Sequence, residues 1–187
     1  MGTVKSLLLG MCFVLGACTS QTSTVQTTEK GTQWEWQNGT IVVKTPERPA
    51  GQKSVLGLTT PKLEAVRVGF VGLGMRGPGA VERFTYIPGT QVVALCDYEE
   101  ARADKCQELL KKASMPKAAV YSGDKGYEEL CKRDDIDLVY IAADWLHHFP
   151  VAKCALENGK NVAIEVPSAM NLQECWDLIN KVLIYII

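Results

Sequence analysis

From residue 62 onward, short and nearly continuous apolar runs alternate with amphipathic segments. The runs at 65–71, 91–96, 118–121, 137–142 and 161–165 have the length and β-branched content of strands buried on both faces. Between them, apolar positions recur every three or four residues, the spacing of a helix with one buried side. That spacing predicts helices over 76–86, 99–112 and 127–133, with Ala103, Cys106 and Leu110 on the buried face of the second. Pro150 suits the first turn of a further helix that Gly159 ends. Asn171 is placed to cap a last helix, with Glu174 as its reciprocal partner and Leu172, Cys175, Trp176 and Ile179 as its buried stripe. Strand and helix in alternation predict an α/β fold, a doubly wound parallel sheet. Residues 72–77, Asp97, the loop 143–148 and Glu165 all follow strand C-termini, so they are expected to line one crevice.

The first 61 residues follow another pattern. Ser6 to Leu15 is apolar, follows Lys5, and is too short for an ordinary transmembrane helix. Leu15-Gly16-Ala17-Cys18 resembles a bacterial lipoprotein signal. The expectation is an exported protein held on a cell-envelope membrane by several acyl chains on Cys18. The alternative is a plain secretory signal cut nearby. Residues 19–30, rich in Thr, Ser and Gln, read as a flexible tether. Trp34 and Trp36 alternate with polar residues, and 41–43 suits a short strand in an arm that packs on the globular part. The chain thus divides into a signal (1–17), a tether and arm (18–61) and a domain (62–187). At its end, the amphipathic spacing gives way to 182–187, apolar all round, which reads as a product cut before a second domain.

Charge and cysteine content narrow the partners. Twenty Lys and Arg balance 21 Asp and Glu with no basic face, so no nucleic acid is expected. Of seven cysteines, Cys12 lies in the signal, and five others, Cys96, Cys106, Cys131, Cys154 and Cys175, show no CxxC spacing. They read as buried free thiols, and no metal site is expected.

The candidate chemistry lies after the first strand of the domain. Gly72-Leu73-Gly74-Met75-Arg76-Gly77 follows that strand and opens a helix, and the next strand ends in Asp97. This is the dinucleotide-binding layout. Gly72 permits the tight turn, Gly74 lets the backbone approach a pyrophosphate, and Gly77 lets the helix pack closely. Asp97 suits ribose hydroxyls and would repel a 2′-phosphate, which points to NAD; the blander role is a helix N-cap. Arg76 either pairs with phosphate or is solvated.

A second stretch carries a family resemblance. Residues 141–150 hold Trp145-Leu146-His147-His148 and lead to a helix, then Gly159-Lys160-Asn161-Val162 and Glu165-Val166-Pro167. With the glycine turn, this resembles the N-terminal Rossmann domain of the Gfo/Idh/MocA oxidoreductases over about 65–180. The branch it looks like is glycoside hydrolase family 109, the NAD-dependent α-N-acetylgalactosaminidases. The usual lysine of Glu-Lys-Pro is Val166 here. The resemblance implies that Met75, Arg76, Asp97, Trp145, Leu146, His147, His148, Glu165 and Val166 contact NAD. His148 is expected to face the nicotinamide crevice and His147 to be peripheral. It implies a carbohydrate substrate, and catalysis by hydride removal at C3, proton loss at C2 and departure of the aglycone from C1. It also implies that the family's second α+β domain, with the catalytic residues, lies beyond Ile187, so this chain alone is expected to be inactive. Two other readings stay open: a sugar dehydrogenase of the same superfamily, and a non-catalytic nucleotide-binding remnant.

Overall fold

The computed structural model describes residues 26–27, 33–44, 47–52, 59 and 61–185. The signal, Cys18 and most of the tether lie outside the described residues. Five parallel strands form the main sheet: β4 (Val66–Val71), β5 (Thr90–Asp97), β6 (Ala119–Ser122), β7 (Leu138–Ile141) and β8 (Asn161–Ile164). Their order is β6-β5-β4-β7-β8, so chain direction across the sheet reverses between β4 and β7. The helices are α1 (Gly77–Thr85), α2 (Ala101–Lys112), α3 (Gly126–Cys131), α4 (Trp145–Glu157) and α5 (Leu172–Tyr185). This is the doubly wound fold that strict strand–helix alternation predicts. Among the described residues, no helix is long and apolar enough to cross a membrane.

Two apolar clusters hold the sheet, one on each side. Val68, Phe70, Leu95, Ala103, Cys106 and Leu110 belong to the first, with α1 and α2. Val71, Leu130, Val139, Ile141, Val151 and Ala155 belong to the second, with α3 and α4. Burying a side chain of this kind fully contributes about 1.5–3 kcal/mol relative to leaving it exposed. At the bottom edge, Arg67 clamps Asp137. Its backbone N–H and Nε donate to Oδ2 at 2.8 and 2.9 Å, and Nη2 donates to Oδ1 at 2.7 Å. That hydrogen bonding holds the Asp137 carboxyl below the usual carboxylate range, against the opposing effect of its partial burial.

Several elements differ from the sequence expectation. Helix α4 starts at Trp145, with Pro150 inside it rather than in its first turn. Asp144 is the reason: its side chain accepts from the N–H groups of Leu146 (2.9 Å) and His147 (3.3 Å) and caps the helix. Residues 145–148 are therefore a helical turn, not a loop. In α5, Asn171 does cap, accepting from Glu174 N–H at 3.0 Å. The returning bond comes from Met170 N–H to Glu174 Oε2 (2.7 Å). Most of the expected buried stripe is not buried: Leu172, Cys175 and Ile179 are exposed, while Trp176 is half-buried. Leu178 packs on the core instead. Periodicity finds an apolar stripe without saying which neighbour it meets.

The arm is a three-stranded antiparallel sheet, β1 (Gln26–Thr27), β2 (Gln33–Gln37) and β3 (Thr40–Val43). Asn38 and Gly39, both at positive φ, turn β2 into β3. Trp36 and Ile41, paired across the hairpin, stay more than half exposed, so the expected packing of the arm is incomplete.

Candidate functional site

At the reversal between β4 and β7, a cleft of about 1200 Å³ opens beyond the strand C-termini. That exceeds the ~300–1,000 Å³ of an ordinary small-ligand pocket. Its floor is the glycine turn. Gly72 has φ +92°, and a Cβ there would sit 2.3 Å from Ala143 N, so the turn lies directly on the chain leaving β7. At Gly77 a Cβ would sit 2.1 Å from Gly72 O, so α1 packs on the turn itself. Gly74 is different: the nearest atom to a Cβ there is Arg102 Nη1 at 3.6 Å. The space above Gly74 is free for a ligand atom, not filled by the protein. Helix α1 begins beside it, with no side-chain cap on its first-turn N–H groups.

Asp97 ends β5 and is almost fully buried. Leu73 N–H donates to its Oδ2 at 2.6 Å, tying the carboxylate to the glycine turn. Glu99 N–H and Arg102 Nη1 donate to Oδ1 at 3.0 and 3.2 Å. The N-cap position of α2 is Glu100, not Asp97, and Glu100 makes no side-chain cap bond. Arg102 also donates to Glu99 Oε1 at 3.0 Å. Burial, reinforced by the Asp97 charge, pushes the neighbouring Cys96 thiol up to about 12. It stays protonated at neutral pH and is no nucleophile.

The opposite wall comes from α4 and the end of β8. His148 is buried and accommodates one fixed bond: its Nδ1 lies 2.7 Å from Pro167 O. A carbonyl only accepts, so Nδ1 carries a proton and donates. Nε2 is buried with no partner. His147 is half-exposed, its Nδ1 2.6 Å from Asp144 Oδ2. Burial alone would raise the Asp144 carboxyl, but the His147 and Leu146 hydrogen bonds outweigh it and hold it low. Tyr140 O–H donates to Glu165 Oε1 at 2.8 Å and orients that carboxylate at the cleft. Burial, then the Glu165 bond, raises the Tyr140 phenol. Among the described residues, no group of three or more His, Cys, Asp or Glu is arranged to hold a metal ion.

Open space over one glycine, an uncapped helix start, a locked carboxylate and an orphaned buried ring nitrogen fit an extended phosphate-bearing ligand. The comparisons with known proteins agree. A family model described as an oxidoreductase family with an NAD-binding Rossmann fold, Gfo/Idh/MocA, matches residues 66–182. The chain belongs to the Gfo/Idh/MocA family. It is 79% identical to glycosyl hydrolase family 109 protein 4 of Phocaeicola vulgatus over 181 residues, 96% of this chain and 35% of that protein. It is 56% identical to family 109 protein 1 of Bacteroides thetaiotaomicron over 178 residues, 95% of this chain and 37% of that protein. The chain thus spans about a third of the length of the curated relatives it matches. Myo-inositol dehydrogenase from Lactobacillus casei, solved with NAD(H) and myo-inositol, is 26% identical with a TM-score of 0.54, over 63% of this chain and 33% of that one. A 3-ketoreductase variant from Actinomadura kijaniata, solved with TDP-benzene and NADP, is 26% identical with a TM-score of 0.54, over 63% and 35%.

Within this Gfo/Idh/MocA domain, Gly72, Gly74, Met75, Arg76, Asp97, Trp145, His147, His148, Glu165 and Val166 all line the one cleft. Gly77 and Leu146 do not. Gly77 is packing under the turn, and Leu146 points to solvent from the first turn of α4. Cleft residues that carry no motif include Tyr98, Glu99 and Arg102 beyond β5, Gly123 and Asp124 after β6, and Tyr127 on α3. The signal for Arg102 is its place three residues past Glu99 and five past Asp97, where its guanidinium reaches both carboxylates.

Proposed function

We propose that the cleft holds NAD, and that the protein is the dinucleotide-binding part of an exported, lipid-anchored glycosidase acting on α-N-acetylgalactosaminides. The observation that carries this reading is the open space above Gly74 beside the uncapped start of α1, in a chain 79% identical to a protein named glycosyl hydrolase family 109. The first-turn N–H groups of α1 and Arg76 receive the pyrophosphate, and Asp97 the adenosine ribose. Glu165, oriented by Tyr140, and the His148 ring face the nicotinamide half. Bound there, NAD supplies a reversible hydride acceptor for a sugar carbon. Trp145 and Val166 offer exposed apolar surface at the rim, which excludes water once covered.

Val166 has no titratable group, so the proton of an oxidised hydroxyl is handled by another residue. This favours the glycosidase over the sugar-dehydrogenase reading. Positioning of sugar and base falls to the part of the longer relatives this chain does not match, so the 187 residues alone bind NAD without turnover. The discriminating experiment grafts this chain in place of the matching third of family 109 protein 4. Aglycone release from an aryl α-N-acetylgalactosaminide without net NADH is expected. NADH accumulating with free sugar would replace this reading with the dehydrogenase. Lipidation of Cys18 is tested by mass spectrometry of the membrane fraction; an unmodified N-terminus elsewhere contradicts it.

A further inference from the structure

Solved proteins equally similar to this chain hold NAD(H) in one case and NADP in another, so the fold leaves the choice open. The structure places three charges where that choice is made. Asp97 is buried, but Arg102 Nη1 lies 3.2 Å from its Oδ1 and offsets its charge. Repulsion of a 2′-phosphate by Asp97 alone is therefore weakened. The same guanidinium lies 3.6 Å from where a Gly74 Cβ would sit, at the edge of the phosphate turn, on a half-exposed side chain. Left to itself, it is a ready ligand for a phosphate monoester. It is not left to itself: Glu99 Oε1 takes Nη2 at 3.0 Å.

We propose that Glu99 is a specificity-determining positioning residue, which holds Arg102 away from a 2′-phosphate and keeps the site selective for NAD. This rests on the dinucleotide reading of the cleft and goes beyond it. The Glu99 side chain is exposed, so it has little to do with folding. Removing its charge leaves Arg102 held by Asp97 through Nη1 alone and frees Nη2 to meet a 2′-phosphate. A charge-assisted bond from the freed Nη2 to the phosphate corresponds to roughly tenfold in affinity.

The test is calorimetric titration of NAD and NADP into the 187-residue protein and its Glu99→Gln, Glu99→Asp and Glu99→Gln/Arg102→Gln variants. The parent is expected to prefer NAD. Glu99→Gln should tighten NADP about tenfold with NAD changed less than twofold. Glu99→Asp should restore the parent preference, and the double variant should lose the NADP gain. An unchanged NADP-to-NAD ratio in Glu99→Gln overturns the proposal. A gain that survives in the double variant also overturns it, since Glu99 would then act by its own charge and not through Arg102. A parent that binds neither nucleotide removes the dinucleotide reading and this inference with it, an outcome distinct from NAD binding with an unresponsive ratio.

Discussion

Gly74→Ala separates binding from folding. A Cβ at Gly74 meets only Arg102 Nη1, at 3.6 Å, an ordinary contact with the end of a flexible side chain. The backbone there needs no positive φ. Stability should hold or rise by about 0.4–1 kcal/mol, because alanine has less freedom to lose on folding. The methyl group does occupy the space that the cleft leaves for the pyrophosphate. Crowding by one carbon in a close-packed contact costs about 1–3 kcal/mol. NAD should therefore bind roughly 5- to 150-fold more weakly. Urea unfolding and NAD titration on the same preparation measure both. A folded Gly74→Ala protein whose NAD affinity stays within twofold of the parent refutes the reasoning.

Gly77→Ala should behave in the opposite way, since its Cβ would lie 2.1 Å from Gly72 O; a loss of roughly 1–3 kcal/mol or more is expected in urea unfolding, and unaltered stability contradicts it. Asp137→Asn should cost about 1–3 kcal/mol at neutral pH, because it disrupts a carboxylate bound three times by Arg67. The folded carboxyl lies below its unfolded value, so the contribution is complete above about pH 4 and fades as pH falls through the folded pKa. Parent and variant stabilities should converge in acid, and a constant gap rules out the ion pair as its source. His148→Ala removes a buried ring and its bond to Pro167 O, and should destabilise by about 2–4 kcal/mol; a change under about 0.5 kcal/mol would mean the wall of the cleft does not depend on it.

The fold and half of the cleft are legible in the sequence for a physical reason. The residues at 72–77 and Asp97 act through local backbone geometry, a turn at φ +92°, a helix start and a strand end, and local geometry leaves local residue types. Helix α4 shows the limit. Pro150 and Asp144 are both helix-start signals six residues apart, and only the hydrogen bonds of Asp144 decide between them. Tyr140 illustrates another: it reads as one more strand residue, and its role towards Glu165 depends on β7 and β8 pairing in register. Tyr127 reaches the cleft because β5 and β6 are neighbours in the sheet, a relation that no spacing records. For α5 the apolar stripe is visible but its direction is not, and Leu172 and Ile179 face solvent.

Calorimetric titration of NAD into the 187-residue chain tests the central claim most directly. Saturable uptake of one NAD per chain, accompanied by a change in the fluorescence of Trp145 that is absent in Trp145→Phe, is the predicted result, because Trp145 lines the same cleft as Gly74 and Asp97. A folded chain that takes up no NAD at millimolar concentration, or one that binds it with Gly74→Ala and Trp145→Phe both indifferent, would contradict the placement of the dinucleotide in this cleft.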